Sequence, residues 1–450
     1  MPLAVGLLGA LLLGYTVSSP ASRMVSVGVY GALVLALALA LPPHLFVALA
    51  LLLVGVSTGI GSAIFSIGPA VFYISDLAVL VIVARGALPR ARHEGIHALR
   101  GAPQALFVAW LVIMALAGVR ALLDGVPTAS VLRQDLALFY WPLLYFGFTR
   151  VLAEKSLLRP LLWRNLLIVA LGFAVYMFGA RALNHPFQDP GLANVPTGVG
   201  EVVQRNFGFA SAFTIYPILA IAAIAAFSST RDHRLRWLLV GCIGIVATLM
   251  TLVRGEIFSL ALGMVLVLWL NPARGAEQGR ARAAVQLALV LAVALLAVLA
   301  VDPKLGHAVV QRAVPFTHQA TGATENADYR FQAMGAGIDV ARSHPLGVGV
   351  LDEQRLAQHG VQFGYLVHSG LATLLVYGGW AALAAAVLAI LAAIRRSFST
   401  AVGATWRHPA FVGAIVTLGF YSLGAAGLAG DSWVVPLGAL VVALRFGLKP

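Results

Sequence analysis

The chain has 450 residues, of which 60% are hydrophobic and only 10% charged, with a mean hydropathy of +0.91. A soluble domain carries about 25% charged residues to cover its water-facing surface, so this composition excludes an ordinary soluble fold. A formal charge of +13 would point to nucleic acid in a soluble protein, but here the cations are concentrated in alternate short loops.

Taken in chain order, apolar stretches long enough to cross a bilayer run Pro2 to Ser18, Met24 to Leu41, His44 to Gly59, Pro69 to Ala84, Ala105 to Leu123, Gln134 to Val151 and Leu162 to Ala180. They continue with Gly208 to Phe227, Trp237 to Val253, Glu256 to Leu270, Ala283 to Val301, Val367 to Ile394, Pro409 to Gly427 and Trp433 to Phe446. The segments are continuously apolar and rich in Ala and Leu, without the polar alternation of barrel strands. The expected fold is therefore an all-α polytopic membrane protein of about 12–14 transmembrane helices, a single integral membrane domain over 1–450. The first segment lacks a basic start and reads as a retained helix, not a signal peptide.

Arg85 to Arg100, Arg150 to Arg164, Arg231 to Arg236, Arg274 to Arg282, Arg395 to Arg407 and the tail with Arg445 and Lys449 lie on one side of that topology. Cationic loops stay cytoplasmic, so both termini are expected in the cytoplasm, and the basic excess becomes a membrane collar that removes the case for nucleic acid. The single cysteine, Cys242, sits in an apolar segment and allows neither an intrachain disulfide nor a cysteine metal cluster.

One connection, 302–366, is far longer than a helix bundle needs, and the charge rule places it outside the cytoplasm. Within it Asn326 to Arg342 reads as an amphipathic helix, with Arg330, Ala333, Met334, Gly337, Ile338 and Ala341 along one side. His344-Pro345 ends that helix, and Gly347 and Gly349 supply a turn.

The chemistry-bearing candidates gather on the same outer side. Arg254 lies in a tight link between two apolar helices, where the bland alternative is a local pair with Glu256. Arg205 follows a loop rich in Pro and Gly; Arg23, Arg120 and Arg181 read as interfacial anchors. Several guanidinium groups together suit the clustered oxygens of a diphosphate. His368 stands at the entry of a long apolar helix, where a neutral imidazole can take a proton from a sugar hydroxyl, and His318, His344 and His359 are weaker candidates. Asp76 and Asp431, at other helix ends, are possible site residues. Asp-x-Asp, HExxH, P-loop and GxSxG motifs are missing, so the sequence supports neither metal-dependent sugar transfer nor nucleotide use, and no metal or cofactor is expected.

Four features resemble the O-antigen ligase and polymerase superfamily, bacterial membrane enzymes with a GT-C-like architecture. They are Leu249 to Gly255, similar to that family's Thr-Arg-Gly or Ser-Arg-Gly turn; Tyr329-Arg330 with the later His344-Pro345-Leu346-Gly347-Val348-Gly349; His368-Ser369 with Gly379 after a nine-residue spacer; and Ile74 to Leu77 at the fourth helix. Ala382 departs from the ligase pattern, where Gly, Thr or Tyr is usual.

The resemblance implies transfer of a glycan from undecaprenyl diphosphate to a lipid A core or another glycan or lipid acceptor, at the outer face of the inner membrane. It implies Arg205, Arg254 and Arg330 on the diphosphate and His368 as general base, with inversion at the anomeric carbon. Alternatives are a polymerase of the same superfamily and, from another class, a lipid-linked glycan transporter or flippase.

Overall fold

A computed structural model describes residues 63–67, 70–73, 82–85, 102–128, 194–196, 202–204, 215–229, 234–251, 254–270, 321–351, 353–362 and 369–399 in continuous stretches, with isolated positions elsewhere. Its helices are α1 (Ala102–Leu123), α2 (Ile215–Ser229), α3 (Arg234–Met250), α4 (Arg254–Leu270), α5 (Thr321–Ser343), α6 (Glu353–Gln358) and α7 (Gly370–Ser399). The architecture is helical as expected, with two short antiparallel hairpins the sequence reading does not anticipate: β1 (Ala63–Ile67) with β2 (Ala70–Tyr73), and β3 (Asn194–Pro196) with β4 (Val202–Gln204). Both strands of the first hairpin are short runs of β-branched and aromatic residues, so the span expected from Pro69 to Ala84 is a strand over Ala70–Tyr73.

Among the described residues two helical stretches, Gln104–Leu123 and Gly370–Ala392, are long and apolar enough to cross a membrane; Tyr216–Phe227, Leu235–Met250 and Gly255–Leu270 are shorter apolar helices. The packing of α1 shows why its sequence is apolar all round. Phe107, Trp110, Met114, Ala117 and Ala121 are buried against the rest of the protein. On the opposite side Val108, Val112, Leu116, Val119 and Leu123 are exposed, an apolar stripe that is favourable against lipid tails and unfavourable against water.

Helix α2 is buried on every side from Ile218 to Ala226 and packs on α3 and α4. Small residues let the backbones approach: a Cβ on Gly244 of α3 would stand 2.8 Å from the Ala220 nitrogen and 3.0 Å from the Tyr216 carbonyl oxygen of α2. A second group forms where α1 and α5 both pack on α7.

The amphipathic helix expected over Asn326 to Arg342 is longer, Thr321–Ser343. Ala333, Gly337, Val340 and Ala341 form its buried stripe, close to the expected one, and Phe331 lies on the open side. At Gly337 the helix touches α7, since a Cβ there would meet the Ala372 Cα at 3.1 Å.

Candidate active site at the break in helix α7

Helix α7 begins with a hydroxyl cap. Ser369 is fully buried, its Oγ accepts the Ala372 N–H at 3.2 Å, and its carbonyl accepts both the Thr373 N–H and the Thr373 Oγ1 hydroxyl at 3.0 Å. This is the N-cap arrangement, in which a serine oxygen satisfies one of the free donors of the first turn. The serine beside His368 is thereby assigned a structural role.

The helix then breaks at Gly379, whose φ of 62° and ψ of −157° are not helical. In an unbroken helix the Trp380 N–H would donate to the Val376 carbonyl. Here it donates to the Pro345 carbonyl at 3.0 Å, and the Val376 and Tyr377 carbonyls accept the N–H groups of Val348 (2.8 Å) and Gly349 (3.1 Å) instead. The turn after α5 thus replaces the bonds that the break removes, the condition under which irregular backbone persists inside a membrane protein.

The fit is close on both sides. A Cβ on Gly379 would collide with the Pro345 oxygen and sit 2.5 Å from the Gly347 nitrogen, and one on Gly347 (φ 73°) would collide with the Tyr377 oxygen. Both glycines hold positive φ, and both allow the two backbones to touch. The Pro-x-Gly-x-Gly turn and the glycine of the His-Ser-x9-Gly pattern, separate in the sequence, are two halves of one interlock.

Helix α1 closes the third side. A Cβ on Gly349 would meet the Ala117 oxygen at 3.0 Å. One turn further along, Arg120 Nη1 donates to the Gly347 carbonyl at 2.8 Å, while its Nε lies 3.9 Å from Asp124 Oδ2. Beyond it Gly125 (φ 76°) ends α1: its N–H donates to Leu122 and the Val126 N–H to Ala121, a Schellman stop. The short helix α6 ends in the same way at Gly360, with Leu356 and Val361 buried together, and Arg355 Nη2 would lie 3.7 Å from a Cβ on Gly125.

Near this corner the His344 and His359 rings meet edge to face at 5.3 Å, and Ser343 Oγ is 3.0 Å from His344 Nδ1. Partial burial, His344 and the Arg120 charge push the His359 imidazole below its usual value.

Of the residues expected to carry chemistry, Arg330 belongs to α5, at helical spacing from Ala333 and Gly337 in the sequence. Arg254 is the first residue of α4, which packs against α2 and α3. His368, Arg205, Asp76 and Asp431 lie outside the described residues, although His368 immediately precedes the Ser369 cap. The structure therefore joins the helix carrying Arg330 to the helix that follows His368. In the first turn of α4 the Glu256 carboxyl is 1% exposed, and its Oε1 has no hydrogen-bond partner among the described residues. Arg120, read from sequence as an interfacial anchor, also donates a hydrogen bond to the interlock.

Residues 238–387 match the family model described as O-antigen ligase. This segment belongs to the O-antigen ligase and polymerase superfamily. The O-antigen ligase segment takes in α4 with Arg254, α5 with Arg330, the interlock and His368; Arg205, Asp76, Asp431 and α1 fall outside it. No curated protein matches the chain. The match supports, in general, an enzyme of the O-antigen ligase or polymerase type.

Proposed function

We propose that the protein is a ligase that moves a glycan from undecaprenyl diphosphate to an acceptor hydroxyl, a lipid A core or another glycan or lipid, at the extracytoplasmic face of the inner membrane. The observation that carries this reading is the interlock of the turn 345–349 with the break at Gly379, within the matched segment. It holds the helix that carries Arg330 against α7, the helix that follows His368 in the sequence.

In the proposed reaction the acceptor oxygen attacks the anomeric carbon from the face opposite the diphosphate. His368 takes the hydroxyl proton as the new C–O bond forms, and the bond to the diphosphate oxygen breaks. Arg330, Arg254 and Arg205 bind the diphosphate and neutralise the charge that grows on the departing oxygen. The configuration at the anomeric carbon inverts. Neither nucleotide nor metal enters the reaction.

The test is reconstitution of the full chain in proteoliposomes with undecaprenyl-diphosphate glycan and a hydroxyl acceptor. A single transfer product, abolished in Arg330→Ala and His368→Ala proteins that still insert, is the expected result. A ladder of lengthening products identifies a polymerase instead, and glycan movement across sealed vesicles without a covalent product identifies a transporter. Wild-type rates from the His368→Ala protein would end the general-base assignment.

A further inference from the structure

We propose that Arg120 is a positioning residue for this transfer: it acts through the Gly347 carbonyl to hold the turn 345–349 in the break of α7. The inference rests on the proposed function for its activity readout and on geometry for the rest. Arg120 belongs to α1, far from the matched segment in sequence, and reaches a turn 227 residues further along the chain.

The Gly347 peptide sits at the centre of the interlock. Its N–H donates to the His344 carbonyl at 2.8 Å, it is buried, and the next two N–H groups enter α7. Those inward bonds use the donors of the turn and leave the Gly347 carbonyl facing α1, where the guanidinium is its donor at 2.8 Å. A charged donor makes a stronger bond to a carbonyl than a neutral one, and about half of the Arg120 side chain is shielded from solvent, which strengthens it further.

The geometry of the bond also fixes direction. Ala117 abuts Gly349 and Arg120 holds Gly347, so α1 grips the turn at two points one helical turn apart. Because α5 leads directly into this turn and α7 receives it, loosening the grip lets the Arg330 helix shift against α7. A displacement of that kind misplaces catalytic groups without removing them, and lowers turnover more than binding.

The experiment compares Arg120→Gln, Arg120→Lys and Asp124→Asn in the full-length protein, with two readouts. Steady-state transfer should show kcat reduced about ten-fold in Arg120→Gln with the donor KM within about two-fold, the scale of one lost bond from a charged donor. Arg120→Lys should recover part of that rate, because an ammonium still donates to one carbonyl, and Asp124→Asn should match wild type. Amide hydrogen exchange should quicken at Val348 and Gly349 in Arg120→Gln alone. Unchanged kcat and exchange in Arg120→Gln overturn the proposal, as does an equal loss in Asp124→Asn, which would assign the effect to the ion pair. Failure of both Arg120 variants to accumulate overturns it too, by making the residue merely structural. A wild-type protein that forms no product sinks the proposed function instead, and the exchange measurement still decides the clamp.

Discussion

The Trp380 N–H donates to the Pro345 carbonyl at 3.0 Å instead of to Val376 in its own helix. That single exchange of partners ties the turn after α5 into the middle of an apolar helix, and it makes Gly379 a position with little tolerance. In Gly379→Ala the added methyl meets the Pro345 oxygen, and a φ of 62° is unfavourable for any side chain. We expect a loss of about 1–3 kcal/mol of stability or a turn displaced from the break. Thermal unfolding in detergent should show a lower midpoint, and transfer should fall with it; a midpoint equal to wild type would mean that the turn does not occupy the break.

The cap at Ser369 makes a graded prediction. Ser369→Ala removes the oxygen that accepts the Ala372 N–H and should cost about 0.5–2 kcal/mol, whereas Ser369→Asn keeps an acceptor and should cost less. Transfer by Ser369→Ala should weaken through the neighbouring His368 but persist. Complete loss of chemistry with unchanged stability would instead make Ser369 a reacting group.

Glycines elsewhere separate tight packing from open space. Gly244→Ala would force α3 away from the Ala220 and Tyr216 backbone and should destabilise by about 1–3 kcal/mol. A Cβ on Gly335 meets nothing within 4 Å, so Gly335→Ala should raise stability by about 0.5–1 kcal/mol through helix propensity alone. Melting midpoints of the two variants should move in opposite directions.

The acid side of the stability profile should carry a signature of His359. Its folded value lies below the usual 6.5, so near that pH the unfolded chain binds more protons than the folded one. The contribution to stability is therefore complete above about pH 6.5 and is lost as pH falls from there through the lower folded value. His359→Gln should flatten the fall of melting midpoints below about pH 6.5 relative to wild type. An unchanged slope would show that His359 is not held away from protonation.

Arg254 tests geometry against charge. Under the proposed function Arg254→Lys should lose most transfer activity, because an ammonium cannot grip two diphosphate oxygens at once, and Arg254→Ala should lose nearly all. Lysine activity equal to wild type would reduce the role of Arg254 to charge alone.

Much of the molecule was legible in the sequence for simple physical reasons. Long apolar runs have few stable forms in a membrane, so Gln104–Leu123 and Gly370–Ala392 announce themselves, and a helical stripe through Ala333, Gly337 and Ala341 can be read from spacing. Arg330 could be placed on that stripe in the same way, and residues 238–387 carry enough pattern for the family to be recognised. What only the tertiary structure decided is how distant segments answer one another. Gly347 and Gly379 are both visible as glycines, but nothing local says that each leaves room for the other's backbone. Arg120 looks like any arginine at the end of an apolar helix, and its bond to Gly347 exists because α1 and the turn are brought together from opposite parts of the chain. Hydropathy and period are local properties and survive in the sequence; a hydrogen bond between remote backbones depends on the folded path, and so becomes readable only there.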